Sequence, residues 1–316
     1  MRNLVSPFWV SAVVVLAAGL AFTELAANEY YFTAAYLILQ ALIMAVAWNI
    51  LGGFTGYVNF GSAGFFAAGA YTSIALDKAL GLPLPLLIVA GALVSGLIGL
   101  GVGYLTLRLR GVYFAIATLA LAIVLETFVS NWTYVGGARG AFILTPENHL
   151  WFSSYVHMLF MLMLILAVAS VAISRKLNFS RLGRGLAAIR DDEIAAECAG
   201  VPTLRLKLVS TTIMGAMMGV AGAPYPFFVT YVEPISAFNL FVAVNAIAMP
   251  MIGGTAHWLG PVVGALLVGS LQEIIKVNIS SEINILLVGI MLVLFISLAP
   301  QGIVGLVQKH LRKRSA

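Results

Sequence analysis

The chain has 316 residues, 61% hydrophobic and only 9% charged, with a formal net charge of +5 and a mean hydropathy of +1.03. This balance excludes a soluble globular domain and describes a polytopic membrane protein. The basic residues form no long run and do not alternate with aromatics, so they report orientation rather than nucleic-acid binding. The single cysteine, Cys198, makes no intrachain disulfide and no thiolate metal site. The histidines lack ligand spacing, and there is no Gly-Lys dipeptide of a phosphate-binding loop. Any ATP hydrolysis must come from another chain.

A span needs about 20 apolar residues, so about ten segments fit. Arg2 and the apolar run 8–22 have the outline of a signal peptide, and we read them as the first span. Residues 31–51 form the second. Residues 52–76 carry six glycines (Gly52, Gly53, Gly56, Gly61, Gly64 and Gly69) and predict a poor autonomous helix. Such a segment either breaks around a pathway or lets helices approach closely. Span four, 84–107, ends at Arg108 and Arg110. Span five covers 112–129, and a polar-aromatic loop, 131–154, leads to span six at 155–173.

Residues 174–207 are charged, with 7 of the 17 basic and 4 of the 12 acidic residues. Ser180 is a plausible N-cap, and Leu182, Leu186, Ile189 and Ala196 share one face of a predicted helix that Gly200 and Pro202 stop. It is either a solvated connector resting on the membrane surface or a docking helix for a soluble partner. Span seven follows at 208–223. The short span eight, 240–252, has Pro250 near its end. Spans nine and ten cover 261–275 and 283–298, and a basic tail closes the chain.

With the N-terminus inside, Arg2, the Arg108–Arg110 loop, the charged segment and the tail place 14 of the 17 basic residues in the cytoplasm. Only Lys78, Arg139 and Lys276 remain outside, as the positive-inside rule requires.

RLRGVYFAIATLALA (108–122) resembles the start of a central helix in M-type permease subunits of branched-chain amino acid ABC importers. GYVNFGSAGFFAAGAYTSIAL (56–76) resembles that family's glycine-rich segment. GRGLAAIRDDEIAAECAGV (183–201) resembles its cytoplasmic coupling segment, GGTAHWLGPVVGA (253–265) its glycine turn, and APQGIVGL (299–306) its closing motif. Two departures bear on substrate choice: Ala256-His257 where the turn usually continues Gly-Thr, and Arg139 in the 136–140 loop.

The resemblance implies an all-α transmembrane bundle in the bacterial inner membrane, forming a single permease domain with both termini cytoplasmic. It further implies a second, H-type permease subunit, two cytoplasmic ATPase subunits holding ATP and Mg, and a periplasmic solute-binding protein. The implied cargo is branched-chain or related hydrophobic amino acids; urea, short amides and other amino acids are alternatives. No cofactor is expected in this chain. Gly183, Leu186, Ile189, Arg190, Glu193, Ala195, Ala196 and Gly200 would couple it to the ATPases, with Leu186 and Ile189 as anchors.

Asn59, Gly61, Gly64, Tyr113, Thr118 and Asn245 are pathway candidates, because backbone freed at glycine breaks can hydrogen-bond a zwitterionic solute. Glu126 and Glu273 are intramembrane carboxylates, either functional or reaching an interface or a partner subunit. His257 is read as a structural histidine in a turn, and Trp132, Trp151 and Trp258 as interface-belt residues. An ion-coupled secondary transporter would need more titratable groups at mid-membrane, and a membrane enzyme would need a metal or nucleophile constellation.

Overall fold

The computed structural model describes residues 7–25, 28–106, 108–109, 111–143, 152, 154–278, 281–298 and 302–306. Arg2, Arg110, Trp151 and the basic tail lie outside these residues. The helices in chain order are α1 (Pro7–Leu25), α2 (Glu29–Thr55), α3 (Ser62–Leu80), α4 (Leu84–Thr106), α5 (Val112–Asn131), α6 (Tyr155–Asn178), α7 (Arg181–Asp191), α8 (Glu193–Cys198), α9 (Thr203–Gly222), α10 (Tyr225–Val229), α11 (Pro234–Ala237), α12 (Leu240–Gly253), α13 (Leu259–Asn278) and α14 (Ser281–Leu298). Two short strands, β1 (Ala141–Phe142) and β2 (Tyr231–Val232), pair antiparallel. Among the described residues, seven helical stretches are long and apolar enough to cross a membrane.

The bundle is built around α2. Its residues are buried without interruption from Leu42 to Thr55, as expected of a helix apolar on every side. Asn28 caps its start by accepting the Tyr30 amide at 3.0 Å, and Gly56, at φ +78°, ends it in the left-handed region. The glycine-rich segment corrects the expectation of a poor helix. The chain breaks only across 56–61, and α3 then runs without interruption from Ser62 to Leu80. Packing supplies what propensity lacks: Gly69 lies against the backbone of Gly219 on α9, where a side chain would collide.

The same device joins α4 to α9. Gly91 of α4 faces Ala223, just past the end of α9, and Gly96 and Gly99 face Ala216 and Thr211 of α9, so the two helices run antiparallel at close range. Ser95 Oγ lies 2.8 Å from Phe65 O and 2.7 Å from Gly215 O, stitching α3, α4 and α9 together with one hydroxyl. The turn between α12 and α13 is tighter still. Gly253 abuts Gly260, and Gly264 abuts the Met249 carbonyl, which explains why that stretch of sequence spaces its glycines so regularly.

The contacts fix which helix ends lie together. Because α4 and α9 are antiparallel, the end of α4 lies with the start of α9. Phe8, at the start of α1, packs under Arg175 near the end of α6. These ends share one pole of the bundle with α7 and α8. The other pole carries the β1–β2 pair, and there Tyr231 donates to the Arg139 carbonyl at 2.8 Å.

Candidate coupling site

The charged segment folds as two helices with a corner between them, where the sequence predicted one. Ser180 caps α7, accepting the Gly183 amide at 3.1 Å. Gly183 itself is required by crowding, since a β-carbon there would meet the Leu177 and Asn178 carbonyls. At Asp192 the backbone turns extended (φ −160°, ψ 112°). Its carboxylate then accepts the Ile194 and Ala195 amides at 2.9 and 3.0 Å, starting a new helix. The run Asp191-Asp192-Glu193 carried that signal, because acidic residues favour a helix N-terminus. Gly200, at φ +82°, turns the chain into α9.

Leu186, Ile189 and Ala196 are buried. Leu186 and Ile189 therefore anchor the segment onto this chain's own bundle; they do not face outward to grip a partner. The outward face consists of Arg181, Arg184, Asp191, Ala195, Cys198 and Gly200, with Ile194 60% exposed among them. An apolar side chain ringed by charge on a short, rigidly based helix suits a protein contact.

Beneath this face lies a cluster that the sequence did not reveal. Lys207, only 3% exposed, places Nζ 2.6 Å from Glu193 Oε1 and 3.1 Å from the Tyr57 hydroxyl. Tyr57 in turn donates to Glu193 Oε2 at 2.5 Å. The ammonium also sits 4.7 Å from the Tyr57 ring centroid, and Phe114 of α5 packs edge-on against that ring at 5.1 Å. A second tie joins Thr203 Oγ1 to Glu197 Oε1 at 2.6 Å. Two side-chain bonds thus fasten α8 to α9, and the first continues into the break between α2 and α3. The sequence starts span seven at Leu208 and leaves Lys207 in water. The helix instead begins at Thr203 and takes the charge inside, because a carboxylate and a phenol are there to receive it.

The break is itself ordered. Asn59 Oδ1 accepts the Gly61 amide at 2.6 Å, and Trp48 Nε1 donates to Asn59 O at 2.9 Å. The Phe60 amide donates to Thr118 Oγ1 of α5 at 3.1 Å. Asn59, Gly61 and Thr118, three of the six pathway candidates, therefore meet at one place. Gly64 packs nearby, against Ala122 and Leu125. Tyr113 does not join them: it is 74% exposed at the start of α5.

A cavity of about 570 Å³ lies between the break, the start of α5 and the α7–α8 corner, lined by Tyr57, Phe60, Val112, Arg190 and Glu193 among others. Asn245 belongs elsewhere. It accepts from Gln272 Nε2 at 2.9 Å and lines a smaller cavity of about 220 Å³ with Gln40, Tyr225 and Ser236.

The remaining sequence candidates take local roles. Glu273 lies 3.9 Å from Lys276 on its own helix, and Glu126 is half-buried on α5. His257 Nδ1 accepts the Leu259 amide at 3.2 Å, capping the start of α13. Burial lowers its pKa. Trp258 packs against Phe8 and under Arg175. Among the described residues no group of acidic, histidine or cysteine side chains could hold a metal ion.

Residues 30–296 match the family described as the branched-chain amino acid transport system permease component. The chain is 28% identical to the high-affinity branched-chain amino acid transport system permease protein LivM of Salmonella typhimurium, over 87% of this chain and 70% of that protein. It is 27% identical to the LivM protein of Escherichia coli K12, over 89% and 71%. It is also 25% identical to the probable branched-chain amino acid transport permease protein LivH of Methanocaldococcus jannaschii, over 82% and 86%. No solved structure matches the chain at comparable stringency. With most of its length matched, from the first turn of α2 to the end of α14, this chain belongs to the branched-chain amino acid transport permease family.

Proposed function

We propose that this chain is one permease subunit of an ABC importer, carrying branched-chain or related hydrophobic amino acids across the inner membrane. A second permease subunit, two cytoplasmic ATPases and a periplasmic binding protein complete the machine. The chain crosses about ten times, with α3 and the short α12 counted as crossings. Its α7–α8 pole faces the cytoplasm. The basic residues support this sidedness, since Arg108, Arg175, Lys176, Arg181, Arg184, Arg190 and Arg205 all fall at that pole.

One observation carries the coupling role: the Glu193–Lys207–Tyr57 cluster, which ties the exposed α7–α8 face to the break between α2 and α3. An ATPase pressing on Ile194 and Ala195 displaces α8. Because Glu193 is bonded to both Lys207 and Tyr57, the displacement reaches the root of α9 and the break at once. Tyr57 is two residues from Asn59, whose side chain holds the break closed on itself. A shift there frees backbone groups beside Thr118, where a zwitterionic solute can hydrogen-bond. This chain supplies the pathway and the lever; its partners supply the hydrolysis.

The test is Ala195→Arg in the full complex, reconstituted with its ATPases. Ala195 is exposed, so thermal stability should stay within about 0.5 kcal/mol of the parent. Leucine uptake should fall about tenfold or more, a loss of roughly 1.4 kcal/mol in coupling, while the ATPases lose their response to the loaded binding protein. Unchanged uptake would remove the coupling role from this face. Uptake driven by an ion gradient without ATP would remove the importer reading altogether.

A further inference from the structure

On the flank away from the coupling cluster, α1, α2, α6 and α13 enclose a groove of about 360 Å³. From Val171 to Leu164 on α6 its wall is apolar, continued by Val15, Leu39 and Leu266 on the other helices. Its one hydroxyl, Ser11 Oγ, already donates to the Phe8 carbonyl at 2.8 Å. The groove offers a ligand no polar partner along its length.

Its mouth is different. The rings of Phe8 and Trp258 line it, and both sit under the Arg175 guanidinium, at 4.5 and 5.8 Å from ring centroid to guanidinium carbon. These two aromatic faces hold the cation in place. No acceptor bonds it and no carboxylate pairs with it among the described residues. Lys176 stands exposed beside it. A planar, permanently charged donor with its N–H groups unspent is built for a phosphate or carboxylate oxygen. From Leu164 to Arg175 is eleven helical residues, about 16 Å along the axis, the reach of one acyl chain below its headgroup.

We propose that this groove is a binding site for one anionic glycerophospholipid of the cytoplasmic leaflet, with its phosphate on Arg175 and an acyl chain along α6. Charge complementarity selects the occupant: the apolar wall requires a hydrocarbon tail, and the guanidinium, unpaired among the described residues, requires an anion at the mouth. The site would brace α1 and α13 against the bundle. It rests on the membrane orientation given above but not on the identity of the transported solute or on the coupling role of α8.

Native mass spectrometry of the detergent-solubilised full complex tests the proposal. It would be titrated with phosphatidylglycerol, phosphatidylcholine or soluble glycerol phosphate. The parent should retain one phosphatidylglycerol about tenfold more tightly than phosphatidylcholine, as expected for one charge-assisted contact. Arg175→Gln should erase that preference, and Arg175→Lys should restore part of it. Val168→Trp, which fills the groove wall, should weaken both lipids, and glycerol phosphate should compete with neither.

Equal retention of the two lipids by the parent would overturn the site. So would an unchanged preference in Arg175→Gln. Displacement of lipid by glycerol phosphate would reduce the site to an anion contact without a groove. If Val168→Trp released the second permease subunit and left lipid retention intact, the groove would be a protein interface instead. All of these readouts are independent of transport, so failure here leaves the importer assignment standing.

Discussion

Helix α9 is held in two different ways along its length. Its middle is joined to α4 by backbone meeting backbone at Gly215 and Gly219, a contact that leaves no room for a side chain and makes no use of charge. Its root is joined to α8 by a buried ion pair, Lys207 with Glu193, by the Tyr57 phenol and by the hydrogen bond from Thr203 to Glu197. The first joint is short-range and steeply repulsive, so it resists sliding. The second is directional and polar, so its worth depends on geometry and on who is bonded to whom. The seam between α4 and α9 is thus the stiffer of the two joints, and the joint between α8 and α9 is the one whose strength follows its geometry.

Lys207→Met is the change with the largest expected effect on this contrast. It removes the ammonium bonded to the Glu193 carboxylate, 13% exposed, and should cost about 3–5 kcal/mol. The double variant Lys207→Met/Glu193→Gln should recover much of that loss in thermal unfolding but none of the uptake. If both singles and the double lose stability equally, the pair is not a joint.

Gly219→Val probes the other joint. A side chain there meets Gly91 and Ser95, and overpacking of this kind costs about 1–3 kcal/mol. Every ATP-dependent step should fall in proportion to the folded fraction, with coupling intact in the molecules that fold. A selective loss of coupling would show that the seam moves after all.

The smallest effect concerns pH. His257 accepts the Leu259 amide through a neutral Nδ1, and burial lowers its pKa below the ordinary 6.5. As pH falls, the unfolded chain takes up this proton before the folded one does. The contribution is complete above the ordinary histidine value and is lost as pH falls through the folded pKa. Melting followed from pH 7.5 to 5 should show this slope, and His257→Asn, which keeps an acceptor to cap α13, should flatten it.

The helices were largely legible in the sequence because apolar length and glycine or proline punctuation are local signals. The predicted span 84–107 became Leu84–Thr106, and 112–129 became Val112–Asn131. Ser180 capped its helix as read. What failed depended on partners far along the chain. Glycines in 62–80 argued against a helix, but Gly219, some 150 residues away, makes Gly69 an asset by letting two backbones touch. The corner at Asp192 is written in a local acidic run, but the apolar positions from Leu182 to Ala196 continue at helical spacing across it and predict one longer helix.

Composition alone determined that the chain lives in lipid, because the cost of burying a charge in hydrocarbon acts on each residue separately, and the distribution of basic residues set the expectation of which loops share a side. Only the tertiary structure decided that Lys207 is inside. That charge is tolerated where Glu193 and Tyr57, 14 residues before it and 150 residues before it, arrive within bonding distance. Likewise Asn59, Gly61 and Thr118 became one site only when α5 packed on the break. Hydropathy sums over neighbours in sequence, whereas a buried ion pair is a property of neighbours in space.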